Sequence, residues 1–426
     1  MSASSHHDRH RSRSRSEKPT KKNIVGWRSL FILVAIGLTF FLGARLWKRN
    51  RVASLRQSTL RQKSLENWYA MEQNAVLWAK ASPNTADPFV YAAEAALARS
   101  SMAQAAEYLK NIPDDHPAAV SLLLERVDML FADLAEPLEA EKTCYRILSI
   151  DPTCGPARKR LTFFYAMTLQ RSRMATQARE AIQRECELPE SYVYLVGSEW
   201  MTLSNIARVN RPWLEKHPDE ELFLVATARG NISNRGDDFY EQDASAHETD
   251  GEQSADQYAS RLSTLFDRFP KNLELLAYFI ETAVVHGDIE RVTTLLATVP
   301  PTGQKDNRFW RYKGWLHAQR NELEKARASL EHAISLNTFD FMSRHYLADV
   351  LRKCGELQLA RTEARIADEG RSLRRTILTQ PEVQSMPLSV MKQVESFVTA
   401  CGDTEIATHL HNRVIQTSNA QLQASP

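Results

Sequence analysis

The sequence predicts an all-α protein built as a solenoid of helix–turn–helix repeats, and three observations lead there. The stretch from Leu273 to Arg374 repeats with a period of 34 residues: Gly287, Asn321 and Gly355 recur at that spacing, as do Ile289, Leu323 and Leu357, and Leu296, Leu330 and Ala364. A fixed period of this size marks one supersecondary unit used several times. Within each copy an apolar set, a Gly or Asn breaker and a second apolar set at i, i+3, i+4, i+7 spacing follow one another, as two helices joined by a tight turn require. The composition agrees, with 43% hydrophobic residues and only 14 glycines in 426 residues. A chain this long exceeds one ordinary core, but a solenoid escapes that bound because each repeat buries surface against its neighbours alone.

Taken in order, the chain opens with a basic low-complexity tail, residues 1–22, in which Arg9, Arg11, Arg13, Arg15, Lys18, Lys21 and Lys22 stand among Ser and His. It cannot form a core and reads as disordered. Residues 23–47 hold the one membrane-length stretch; Ile24–Ala44 spans 21 residues, about 31 Å of helix. Trp27 and Trp47 bracket it as interfacial aromatics do. Leu42 occupies the place where a signal-peptide cleavage site needs a small residue, so an uncleaved single-pass anchor is expected. Residues 1–63 carry 15 Lys/Arg and two acids, whereas the remainder carries 39 against 50. A basic head on an acidic body points to a membrane surface at the head. The cations are nearly balanced across the span, and the expected orientation keeps the short tail inside and sends the large domain across.

Residues 48–82 read as a helical neck. Residues 83–189 hold weaker repeats, with Ala105, Ala140 and Ala175 placed 35 apart and Pro88, Pro113, Pro117, Pro152 and Pro189 as punctuation. Residues 190–230 are helical without clear register. Residues 231–257 turn acidic (Asp237, Asp238, Glu241, Asp243, Glu248, Asp250) and read as a disordered loop. Residues 258–374 carry the 34-residue copies. Residues 375–426 break the period and supply a terminal helix pair about Gly402 and a frayed tail.

The repeated positions have a physical logic. Gly314 and Ala348 on the first helix, and Ala326 and Ala360 on the second, allow close approach, and the breaker needs a residue tolerant of left-handed backbone. Here the chain resembles the tetratricopeptide repeat (TPR) family. Trp310, Gly314, Ala326, Leu330 and Ala333 fall at family positions 4, 8, 20, 24 and 27; Leu347, Ala348, Gly355, Ala360 and Ala367 match 7, 8, 15, 20 and 27 of the next copy. Lys313, His317 and Thr338 depart from the usual Leu, Tyr and Pro. The resemblance implies a TPR-type α-solenoid whose first helices line a partner-binding groove. It places Arg308, Arg311, Trp315, Ala318 and Gln319 there from one copy, and Met342, His345, Asp349, Arg352 and Lys353 from the next. Residues 305–375 hold 15 Lys/Arg and 10 acids, so an acidic protein segment is the expected partner. The Lys/Asn clamp with which some family members hold a C-terminal carboxylate is absent.

No phosphate loop, GxGxxG, HExxH, GxSxG or Cys/His zinc spacing occurs. Enzyme activity, cofactor, metal and nucleic-acid binding are therefore not expected, and the five scattered cysteines read as buried thiols. The sequence points to a membrane-anchored protein-interaction scaffold or assembly factor, with an inward-facing client-capturing adaptor or import receptor as the alternative.

Overall fold

The computed structural model describes residues 24–424 apart from 202, 204, 234–250 and 381–385. Its regular structure is helical throughout, and it divides into two compact units, Met1–Arg99 and Ser100–Pro426.

The first unit holds α1 (Ile24–Ser64), α2 (Trp68–Ala81) and α3 (Asp87–Ala98). Membrane-length stretch and early neck, separate in the sequence reading, form one unbroken helix of 41 residues. From Ala44 to Ser64 the chain contains neither Gly nor Pro and is rich in Leu, Arg, Lys and Gln, all strong helix formers. Glu66 ends the run in left-handed backbone, and Asn67 caps α2 by accepting from the Ala70 amide. The apolar part of α1 is long and apolar enough to cross a bilayer, and its side chains stand open, Phe31 at 65% and Phe40 at 79% exposure. Beyond Val52 one side of α1 packs along α2, with Thr59, Met71 and Ala75 fully buried. Lys63 reaches Glu94 at 2.7 Å, Arg99 pairs with Glu72, and Trp78 stacks on Tyr91.

The second unit begins with α4 (Met102–Lys110), α5 (Ala119–Ala132), α6 (Pro137–Ile150), α7 (Gly155–Met167), α8 (Arg171–Gln183) and α9 (Pro189–Val196). It continues with α10 (Ile206–Lys216), α11 (Glu221–Ser233), α12 (Gly251–Arg268), α13 (Leu273–Val285) and α14 (Ile289–Thr298). It ends with α15 (Asn307–Gln319), α16 (Leu323–Leu336), α17 (Phe341–Lys353), α18 (Leu357–Leu378), α19 (Leu388–Cys401) and α20 (Thr404–Ala424). Helices pair as antiparallel hairpins, and α13–α14, α15–α16 and α17–α18 are the three 34-residue copies. Their breakers Gly287, Asn321 and Gly355 take φ of +68°, +56° and +83°, the left-handed turn the sequence required. A Cβ added at Gly314 would lie 2.5 Å from the Leu330 Cγ, so the bare backbone is what lets α16 close on α15.

The acidic stretch and the C-terminal tail both adjoin described helices. Of the acidic stretch 231–257, residues 234–250 lie outside the described residues, but both flanks are helical: α11 runs to Ser233 and α12 starts at Gly251. Beyond that stretch, Tyr258, Leu262, Leu265 and Phe266 stand at helical spacing and join Val225, Ala228 and Leu275 in a small core. At the end of the chain α20 runs to Ala424.

One apolar core joins the two ends of this unit. It runs from Leu123 through Ala226 and resumes from Phe339 to Val414. The terminal pair α19–α20 packs on α18 and also folds back, α19 onto α9 and α20 onto α8. Arg179 meets Asp403 at 2.7 Å across this closure, and Gln183 donates to Glu405 at 3.0 Å. All five cysteines are free thiols, and burial pushes Cys144 and Cys401 up to about 12.

Candidate functional site

The first turn of α15 is built around carboxylates. Asp306 caps the helix by accepting from the Arg308 amide and also takes the Arg308 guanidinium at 2.7 Å. The same Arg308 Nη2 also donates to Glu274 on α13 at 2.6 Å, where Arg171 of α8 arrives from the first half at 3.2 Å. One turn on, Arg311 pairs with Glu199 and with Asp340 at 2.9 Å, and Asn307 bridges the same two acids at 2.9 and 2.7 Å. Asp340 in turn caps α17 through the Ser343 amide. The result is an internal ionic network joining α8, the segment after α9, α13, α15 and the start of α17.

Arg308, Arg311 and Trp315 are therefore not presented to solvent: their exposures are 7%, 3% and 7%. They do not line an open groove here: Arg308 is held by Asp306 and Glu274, Arg311 by Glu199 and Asp340, and Trp315 belongs to the apolar cluster of Leu276, Ile280 and Tyr312. Gln319, Arg352 and Lys353 are exposed; His345 and Asp349 are half-buried, with Asp349 engaged by Arg352 and His345 against Tyr346. The structure thus gathers the two first arginines into the interior and leaves the later residues on an ordinary polar surface.

Electrostatics make the network internally consistent. Burial alone would raise the Glu274 carboxyl, yet the charges of Arg171 and Arg308 more than offset it and hold it at about 2. Burial pulls Arg308 down, but Asp306 and Glu274 leave it well above its ordinary value. Burial lowers Arg171 more than Glu274 raises it. These charges are satisfied by one another, so removal of any one partner would strand a charge in the interior.

A different surface is open. A cavity of about 510 Å3 lies between α5, α7 and α9, walled by Phe131, Phe163 and Tyr194, with Arg158, Lys159 and Arg160 among its lining. Arg160 forks onto Asp128 of α5 at 2.7 and 2.6 Å. Lys159 meets Glu190 of α9 at 3.1 Å. Arg158 is 3% exposed and structural, donating to Glu180 at 2.6 Å and to the Pro152 carbonyl at 3.0 Å. α5 and α7 are the first helices of successive hairpins, α5–α6 and α7–α8, and α9 packs on α7 and α8. The sequence concealed this register because the breakers of the two hairpins are Ala135 and Leu169, at φ of +50° and +56°, where the later copies use Gly or Asn. The readable signal was the i, i+4 pair Lys159–Phe163 on one face of α7.

The hairpin geometry, the 34-residue period and the left-handed breakers decide the architecture. The fold is a TPR-type α-solenoid. No family model matches the sequence, and no curated protein matches it. Among solved structures, a tetratricopeptide repeat protein from Parabacteroides merdae is similar at 12% identity and TM-score 0.26, over 71% of this chain and 99% of its own. Yeast Tom70 is similar at 10% identity and TM-score 0.26, over 88% of this chain and 90% of its own. The human IFIT1 dimer with PPP-AAAA is similar at 10% identity and TM-score 0.32, over 86% and 94%.

Proposed function

We propose that this chain is a membrane-anchored protein-interaction scaffold that binds a segment of another protein in the cleft between α5, α7 and α9. The observation that carries the reading is the open, aromatic-walled cavity with Lys159 and Arg160 at its rim. Aromatic walls supply large, rigid apolar area, and arginine forks onto carboxylates, the two features that dominate recognition. Each of the Arg160–Asp128 and Lys159–Glu190 pairs keeps one partner partly exposed to solvent, Asp128 in the first and Lys159 in the second, so a partner carboxylate can compete for either cation. An acidic segment that seats one apolar side chain between Phe131, Phe163 and Tyr194 fits this chemistry. The apolar part of α1 is the anchor, and the repeats face away from the cytoplasm.

The test is a photocrosslinking residue at position 163 in intact membranes, read in wild-type and Arg160→Glu backgrounds. Crosslinked partner that falls at least tenfold in the variant, with helical circular dichroism unchanged, supports the cleft; undiminished crosslinking overturns it. Digestion of the repeats by added protease only after permeabilisation supports the orientation, whereas digestion from the cytoplasmic side favours an inward-facing adaptor.

A further inference from the structure

The stretch of α1 between its apolar part and its packed part is charged on one side of the ledger only. Arg45, Lys48, Arg49 and Arg51 crowd into seven residues, and the sequence from Lys18 to Leu65 contains no Asp or Glu. A helical cation ordinarily finds a carboxylate three or four residues away; none exists here. The contrast lies within the same unit, where Lys63 is answered by Glu94 and Arg99 by Glu72. Among the described residues no acid pairs with any of the four, and all four are exposed. Packing against α2 begins only beyond them, at Val52.

Geometry says what they meet. Seven residues rise roughly 10 Å, and a headgroup layer on one side of a bilayer is about 5–8 Å deep. With Ile24–Ala44 in the hydrocarbon, the four cations fall at the depth of the headgroups, and Trp47, 64% exposed with Arg51 stacked 5.3 Å from its ring, marks the interface. The helix is unbroken through this region, so the cations cannot fold away from that depth.

We infer that Arg45, Lys48, Arg49 and Arg51 form a binding belt for anionic lipid headgroups. It rests on the reading of α1 as a membrane span. Four permanent charges with no internal counter-ion recruit phosphate or carboxylate groups from the leaflet they enter, and the recruitment weakens as salt screens it.

The full-length protein is reconstituted in vesicles of phosphatidylcholine with phosphatidylserine, and resistance to carbonate extraction is scored first. Spin-labelled phosphatidylserine and phosphatidylcholine then report which lipid the inserted protein retains. The wild type is expected to prefer the anionic lipid several-fold at low salt, with the preference approaching one in molar salt. The quadruple Arg45→Gln, Lys48→Gln, Arg49→Gln, Arg51→Gln variant should insert equally and lose the preference, while deletion of residues 1–22 should leave most of it. Equal preference in wild type and quadruple variant overturns the belt and leaves the anchor standing. Extraction of the wild type by carbonate overturns the anchor and the belt together.

Discussion

At the scale of single residues, Glu274 carries the most consequence. It is a buried carboxylate between two arginines from different parts of the chain, held at about 2 against an ordinary value of 4.5. A carboxyl whose folded value is depressed contributes stability that is complete above its unfolded value and is lost as pH falls toward the folded one. The window here runs from about 4.5 down to about 2, and the depression corresponds to roughly 3 kcal/mol. Glu274→Gln is expected to lose stability of that order at neutral pH, because it strands Arg171 and Arg308 in the interior. It should also show a shallower decline between pH 4.5 and 2 than wild type, read by urea denaturation at several pH values. Equal stability of the two proteins at pH 7 would contradict the assignment. None of this was legible in the sequence. Arg308 and Arg311 advertise themselves as recognition residues by type and register; what engages them is Glu274 on another hairpin for Arg308 and, for Arg311, Glu199, more than a hundred positions earlier.

Single helices and their turns were more readable, because their causes are local. A left-handed breaker is a property of one residue and its two neighbours, so Gly287, Asn321 and Gly355 could be found by spacing alone. Where the chain uses Ala135 or Leu169 at the same place, the turn forms at a backbone cost and the repeat fades from view. That cost can be measured in both directions. Ala135→Gly should stabilise by about 0.5–1 kcal/mol, and Gly355→Ala, with open space around the added methyl, should destabilise by about 1 kcal/mol. Thermal melts should move by roughly 2–4 °C per kcal/mol, upward for the first and downward for the second. The unbroken α1 belongs to this scale too. Charge pattern suggested a boundary near residue 47, but helix formation responds to Gly, Pro and caps, and none intervenes before Ser64.

At the scale of the whole second unit, the solenoid closes on itself. Period and register announce hairpins, yet nothing in them says that α19 returns to α9 and α20 to α8. Removal of residues 386–426 should therefore do more than shorten a repeat array. It uncovers apolar core at both α18 and α8–α9, and the truncated protein is expected to aggregate or to bind a hydrophobic dye, with cooperative melting lost. A soluble, cooperatively melting truncation would show that the closure is dispensable.

The closure also sets a clock. Val193, Leu195 and Val196 leave the ribosome almost two hundred residues before Val390 and Val394 of α19 exist. At 5–20 residues per second the gap is roughly 10–40 s. During that interval an apolar face waits without its cover while the intervening helices are still being made. An ordinary solenoid, completed repeat by repeat, has no such wait. This chain acquires its last contacts only after its first half has been exposed, which makes late truncations costly out of proportion to their length.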